Sequence, residues 1–370
     1  MTGDPLRLLR HPGPIDPYPL EPSSEELAAE VGLTPDAIVR FDLNTLGGGP
    51  LPAATEAWRS WDPAAVVVYG DLGYRRLRAA IGHATGVPSH RVVPGAGADE
   101  LIRLVTASVV GAGDRVVIAT PTFPMFDVEA RLAGATVVAV PRDLPGRQQS
   151  LAAIRETTER ESARLVWICS PNNPTGDAYA LGDLRDLARG LEAIVVVDQV
   201  YLDFAHAAGA TGIDAIGLQD ELDNLFVLRS LSKAYGLAGA RIGFLVVPDA
   251  LAERFDGLRL PLSVGTATEA LALAVLADPE AARGRHVAIM AEQRRLSEAL
   301  RDLGCEVLDS IANFVTFRPP DADALVTALL RRGLVLRAFP HGSMQGWVRA
   351  TALAQPENDV LIGALEELLG

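Results

Sequence analysis

The run Ser230-Leu231-Ser232-Lys233-Ala234-Tyr235-Gly236 gives one lysine the surroundings of a reactive amine. It follows an apolar stretch, Leu225-Phe226-Val227-Leu228, and stands among small hydroxyl residues and glycine, where a solvated lysine would have charged neighbours. An amine held there loses hydration, its pKa falls, and the neutral form can attack a carbonyl. Arg241 follows shortly, and with Ser230 and Ser232 it can grip a phosphate beside that amine.

Three further segments carry matching chemistry. Asp198 closes the apolar run Ile194-Val195-Val196-Val197, with Tyr201 just beyond. A carboxylate at the buried edge of a sheet needs a cation or strong hydrogen bonds, although a helix cap is the plainer use of such an Asp. Ser170-Pro171-Asn172-Asn173-Pro174-Thr175-Gly176 follows another apolar run, Leu165–Cys169. It reads as a rigid loop at a strand's C-terminal end, where open α/β sheets bind ligands, or else as a plain turn. Gly95-Ala96-Gly97-Ala98-Asp99-Glu100 is a glycine-rich turn entering a helix, and free N–H groups at a helix start hold phosphate. Glu100 stands where the dinucleotide fingerprint needs a glycine, which argues against a nicotinamide dehydrogenase. Together the four segments ask for one ligand with a phosphate, an aldehyde and a basic ring nitrogen. Pyridoxal 5'-phosphate (PLP) answers that description, with a lysine Schiff base and an Asp on its ring nitrogen.

These residues need a scaffold. Val116–Ala119, Thr136–Val140, Leu165–Cys169, Ile194–Val197 and Leu225–Leu228 are continuous apolar runs, the pattern of strands buried on both faces. Helical patterns fill the gaps, as over 99–110 and 181–191. The expected class is α/β, a mostly parallel mixed sheet of doubly wound appearance. Beyond about residue 260 the pattern changes. Helices are expected over 266–276, 281–303, 323–332 and from 357, with short strands at 313–317 and 334–337, which reads as a smaller α+β domain. At the other end, prolines at 5, 12, 14, 17, 19 and 22 make an arm, and Ser23-Ser24-Glu25-Glu26-Leu27 opens a capped helix that ends near Gly32. The expected division is 1–40 as arm and part of the small domain, 41–258 as the large cofactor domain, and 259–370 as the small domain.

Composition fits that plan. The 370 residues are 49% hydrophobic and 22% charged, which excludes wholesale disorder. A net charge of −14 speaks against nucleic-acid or anionic-membrane partners, so an anionic ligand must be held by a few placed arginines. Cys169 and Cys305 form no metal or disulfide motif, no leader or spanning segment is apparent, and a cytoplasmic setting without a metal site is expected.

SPNNPTG, the Asp198–Tyr201 pair and SLSKAYGLAGARIG, in this order, resemble the class I and II PLP-dependent aminotransferases of fold type I. Asp16-Pro17-Tyr18, SSEELAAEVGL, Tyr69-Gly70-Asp71, GAGADELI, PTFPMF, SIANFV and the late Arg337 and Arg349 resemble the histidinol-phosphate aminotransferase branch, from about residue 16 to the end. The resemblance implies that Lys233 carries the cofactor and that Asp198 pairs with its ring nitrogen. It implies that Asn173 and Tyr201 bond the ring hydroxyl oxygen, that Phe123 stacks on the ring, and that Ala98, Asp99, Ser230, Ser232 and Arg241 hold the phosphate. It further implies a homodimer in which Tyr69 reaches the neighbouring cofactor. Arg349 would bind the substrate's anionic end with Arg337, Tyr18 and Asn173 nearby, and a 2-oxo acid would complete the exchange. The chain departs from the family where an Asn-Glu-Asn-Pro-like stretch is usual and Leu43-Asn44-Thr45-Leu46-Gly47-Gly48-Gly49-Pro50 stands instead. Phe123 replaces a frequent tyrosine, and Leu262-Ser263-Val264-Gly265 replaces an asparagine-containing loop. Two other functions are compatible with the same cofactor chemistry or fold: decarboxylation of a phosphorylated amino acid, and a ligand sensor, for which the chain has neither spare length nor a basic face.

Overall fold

The computed structural model describes residues 21–142, 144 and 150–370. Tyr18, expected near the substrate, lies outside the described residues. The strands are Val39–Arg40 (β1), Val92–Gly95 (β2), Arg115–Thr120 (β3), Thr136–Pro141 (β4), Leu165–Cys169 (β5), Ile194–Asp198 (β6), Leu225–Ser230 (β7), Gly243–Val246 (β8), Glu306–Val307 (β9), Phe314–Arg318 (β10), Leu334–Val335 (β11), Arg337–Ala338 (β12) and Val348–Thr351 (β13).

Seven of them form the main sheet, in the order β2-β8-β7-β6-β5-β3-β4. β8 alone runs opposite to the other six strands. The five expected strands are all present. β2 and β8 were not anticipated, being only four residues long with glycine at one end of each. Side chains alternate between the sheet's two faces. Val117, Val166, Ile168, Val195, Val197 and Val227 join one cluster, with Ile154, Leu184 and Phe204 from the helices that cover that face. Val116, Ile118, Trp167, Val196 and Phe226 join the other, under Leu101, Ile102 and Phe126. Both faces being covered explains why β5 is buried at every position and reads as an unbroken apolar run.

The smaller unit is the antiparallel sheet β9-β10-β13-β12, packed by Leu296 and Leu300, Leu325 and Leu329, and Leu361 and Leu365 from three helices. The expected strand at 334–337 is split: β11 leaves this sheet to pair in parallel with β1, and β12 stays on β13. Phe41 packs in the small unit's core, and its carbonyl accepts the Thr351 N–H at 2.6 Å. The stretch from 39 to 41 is therefore fixed to the small unit before the chain reaches the large sheet. The first helix, Ser24–Val31, has the expected caps: Ser23 and Glu26 bond reciprocally, and Gly32 takes the left-handed conformation. Among the described residues no helix is long and apolar enough to cross a membrane.

Candidate active site

β5, β6 and β7 run parallel and end side by side, with Cys169 opposite Asp198 and Asp198 opposite Leu228. Their C-terminal ends open into a cavity of about 510 Å³ that the small unit closes from the other side. Ala98, Asp99, Phe123, Asn173, Asp198, Tyr201, Ser230, Ser232, Lys233, Arg241, Arg337 and Arg349 all line it. Residues as far apart in sequence as Ala98 and Arg349 thus meet around one cavity. Tyr69 does not line this cavity; it projects from the surface and is 87% exposed.

Lys233 stands in the loop after β7. The Ser230 hydroxyl donates to the Ile242 carbonyl at 3.2 Å and accepts the Ser232 N–H at 3.1 Å, which folds the loop over the sheet edge. The Lys233 amine donates to the Leu43 carbonyl at 2.8 Å. Burial pushes its pKa down to about 8, and Arg349 and Arg241 add to the fall.

Asp198 is 3% exposed. One carboxylate oxygen accepts the Val200 N–H at 3.0 Å, a turn bond that falls before the following helix; Tyr201 stands at that helix's N-cap position, so the helix-cap alternative does not hold. Among the described residues no guanidinium or ammonium pairs with Asp198. Burial pushes its pKa up to about 7. A buried carboxylate lacking a cation fits a ligand that brings one.

At the other end, Gly97 enters the helix Ala98–Val109 with φ +85°, and no side chain caps the helix start. A Cβ on Gly97 would lie 2.5 Å from Arg241 Nη2, and one on Gly243 would lie 3.1 Å from the Ala98 nitrogen. Glycine at both places lets three segments converge on one point. Arg241 pairs with the Asp99 carboxylate at 2.9 Å, so Asp99 can offer an anion only its backbone N–H there.

Between these ends, Arg349 is buried and committed on two sides. Nη1 donates to Asn173 Oδ1 and Nη2 to the Asp42 carbonyl, each at 2.5 Å, while Nε is buried without a partner. The Asn173 amide nitrogen is left free to donate elsewhere. Arg337 pairs with Glu21. Phe123 meets Phe126 edge-on at 5.8 Å between ring centres, a contact that needs no hydroxyl.

Sequence reasoning missed Leu43, Asn44 and Glu21. Asn44 Nδ2 donates to the Tyr201 hydroxyl oxygen at 2.9 Å from a left-handed backbone, φ +54°. The 43–50 stretch stands out in the sequence as a departure from the family pattern, in a segment that the resemblance places toward the substrate. An asparagine within it was the available signal, since asparagine tolerates that conformation.

A ligand satisfies all parts of this cavity only if it brings a cation to Asp198, an anion to the helix start and a carbonyl to Lys233. PLP does so, and the fold and site together define a PLP-dependent enzyme. The chain belongs to the aminotransferase class I and II family, whose model matches residues 37–366. It is 35% identical over 364 residues to the histidinol-phosphate aminotransferase of Roseiflexus castenholzii, covering 96% of each chain. The crystal structure of histidinol-phosphate aminotransferase from Sinorhizobium meliloti in complex with pyridoxal-5'-phosphate superposes with a TM-score of 0.86 at 26% identity, covering 95% of each chain. The L-threonine-O-3-phosphate decarboxylase of Porphyromonas gingivalis shares the fold, with a TM-score of 0.73 at 22% identity, covering 90% of this chain and 99% of that one. The present chain is accordingly a PLP-dependent aminotransferase.

Proposed function

We propose that the amino donor is histidinol phosphate or a closely related phosphate-bearing amine, and that a 2-oxo acid is the acceptor. The observation that carries this reading is Arg349: a buried guanidinium with an unpartnered Nε, lining the same cavity as the Lys233 amine. Two of its N–H groups are fixed by Asn173 and Asp42, so the fork is already oriented for an anion. Arg337 lies directly across the strand pair from it.

Lys233, Asp198, Tyr201, Asn173, Phe123, Ala98, Asp99, Ser230, Ser232 and Arg241 would hold PLP. When bound, PLP supplies an aldehyde for the amino group and a ring that draws electrons from the substrate carbon. Asp198 would face the ring nitrogen and, once ionised, favour a positive charge there. Lys233, its pKa lowered by burial, takes the proton from the substrate carbon and returns it, as base and then acid. The Leu43 carbonyl offers the free amine a hydrogen-bond partner within the cavity. Asn44 donates to the Tyr201 oxygen and so directs the phenolic proton to another acceptor. The 2-oxo acid takes the second half of the exchange over the same residues.

The assembly proposed is a homodimer, supported by the neighbouring exposed Val66, Val67, Val68 and Tyr69. A cytoplasmic setting is proposed from the two free, buried cysteines. The test of the substrate is a panel of histidinol phosphate, phenylalanine and threonine phosphate, each with a 2-oxo acid and each scored for the keto or aldehyde product and for carbon dioxide. Preferential amino transfer from histidinol phosphate is expected. Carbon dioxide release from threonine phosphate as the dominant reaction would overturn the reading.

A further inference from the structure

Arg337 and Arg349 are paired residues on adjacent antiparallel strands, so two guanidiniums are held side by side. Like charges so placed repel. Arg349 feels this, since Arg337 is among the causes that lower its pKa, after burial. The group that offsets the repulsion is Glu21, which turns into the cavity and pairs with Arg337. Its backbone is anchored nearby: Arg40 Nη1 donates to the Pro22 carbonyl at 3.0 Å, and Arg40 Nη2 lies 3.8 Å from the Glu21 carboxylate. Arg40 itself is held on both oxygens of Asp42, at 2.8 and 2.6 Å. Among the described residues, Arg40 and Arg337 each pair with a carboxylate, whereas the direct hydrogen-bond partners of Arg349 are the neutral Asn173 amide and Asp42 carbonyl.

We infer that Glu21 is a specificity-determining residue, a built-in counter-ion that sets how much negative charge this end of the cavity accepts. A monoanion can rest on Arg349 and leave the Glu21–Arg337 pair intact. A phosphate dianion needs both arginines and must take Arg337 from Glu21. The carboxylate is suited to yield: burial raises its pKa, against the opposing effect of Arg337 and with Asp42 adding to the rise. This inference rests on the reading above that Arg349 and Arg337 face the substrate's anion, and it adds the residue that discriminates among anions.

The test uses the PLP-loaded enzyme, so that the cofactor occupies its own phosphate site. Amino transfer to a 2-oxo acid, from whichever donor of the panel is turned over, is titrated with inorganic phosphate or with acetate at about pH 8, where phosphate is mainly dianionic, and an inhibition constant is read for each. Glu21→Gln should lower the phosphate inhibition constant by about tenfold and the acetate constant by much less. In an Arg337→Ala background, Glu21→Gln should give no such gain, because the charge it uncovers is gone. Glu21 is no selective counter-ion if Glu21→Gln leaves the phosphate constant unchanged or raises it. The same holds if acetate tightens equally, or if the gain persists without Arg337. The two proposals fail separately. Tighter phosphate binding in Glu21→Gln with no transfer from histidinol phosphate removes only the substrate reading. Transfer from histidinol phosphate with an unaltered phosphate constant removes only the role of Glu21.

Discussion

The Lys233 amine and the Leu43 carbonyl meet at 2.8 Å, and this bond joins the loop after β7 to a segment fixed on the small unit. Leu43 follows Phe41, which packs in the small unit's core. The reactive amine therefore stands at the seam between the two units, and movement of one against the other reaches it directly. The loop is held from behind as well, since a ring nitrogen of His286 lies 2.6 Å from the carbonyl of Ala234, the residue after Lys233.

The purified protein should be yellow with PLP, and borohydride should fix the cofactor on Lys233. Peptide mapping of the reduced protein checks this. A label on another lysine, or none after PLP is added, would remove the assignment. Lys233→Ala should lose the label and nearly all transfer, because both the attachment and the proton carrier go.

Asp198 makes opposite predictions for the protein with and without PLP. Its pKa rises from 3.8 to about 7 through burial. Between those values the unfolded chain ionises while the folded one keeps the proton. In the cofactor-free protein, Asp198 therefore costs stability progressively as pH rises from about 4 to 7, and the cost is complete above that window. Asp198→Asn should raise Tm of the cofactor-free protein by a few degrees near pH 8 and change little near pH 4. With PLP bound, the carboxylate gains its cation. The increase in Tm on adding PLP should then shrink in Asp198→Asn, and Asp198→Ala should lose about 10²-fold or more in turnover. Thermal melts at both pH values, with and without PLP, check the signs; near wild-type turnover would reduce Asp198 to a turn-maker for Val200.

Much of this was legible because each segment follows a strand buried on both faces, and such strands announce themselves as apolar runs. Once β5, β6 and β7 were placed in parallel, Asn173, Asp198 and Lys233 had to emerge on one edge. Leu43, Asn44 and Glu21 were not legible in the same way. Leu43 acts through its carbonyl, which has no side-chain signature, and Asn44 through a left-handed backbone. Glu21 and Arg337 meet beside the pairing of β1 with β11, two-residue strands too short for any periodicity to show. Phe41, which the expected division placed at the start of the large domain, was illegible for the same reason: it packs with strands near the C-terminus, as does β1 just before it.

The proposal that Tyr69 reaches the neighbouring subunit's site is tested by mixing two disabled variants. Lys233→Ala lacks the amine, and Tyr69→Ala lacks the reaching phenol. A mixed dimer holds one site with Lys233 from one chain and Tyr69 from the other. Activity should therefore rise well above either variant alone after the two are co-expressed or exchanged. No gain, with dimers confirmed by light scattering, would show that Tyr69 serves its own chain or none.

Arg349 carries the substrate assignment, so its removal is the decisive substitution. Arg349→Ala takes away a desolvated partner of the substrate's anion, a loss of roughly 2–5 kcal/mol, and kcat/KM for a phosphate-bearing donor should fall accordingly. The variant also frees Asn173 Oδ1 and the Asp42 carbonyl, each now held at 2.5 Å, so some loosening around Asn173 is expected. A second consequence separates the charge from the packing. Arg349 is one of the causes holding the Lys233 pKa near 8, after burial. Without it the amine of the cofactor-free protein should titrate at higher pH, and labelling of Lys233 by an amine-selective reagent at about pH 8 should slow. Arg349→Lys should restore that labelling rate, because the positive charge returns. It should restore kcat/KM only in part, because an ammonium cannot bond Asn173, Asp42 and a substrate anion through one planar fork. Equal small losses for charged and uncharged donors in Arg349→Ala would make this arginine a packing residue, and the phosphate-bearing substrate would fall with it.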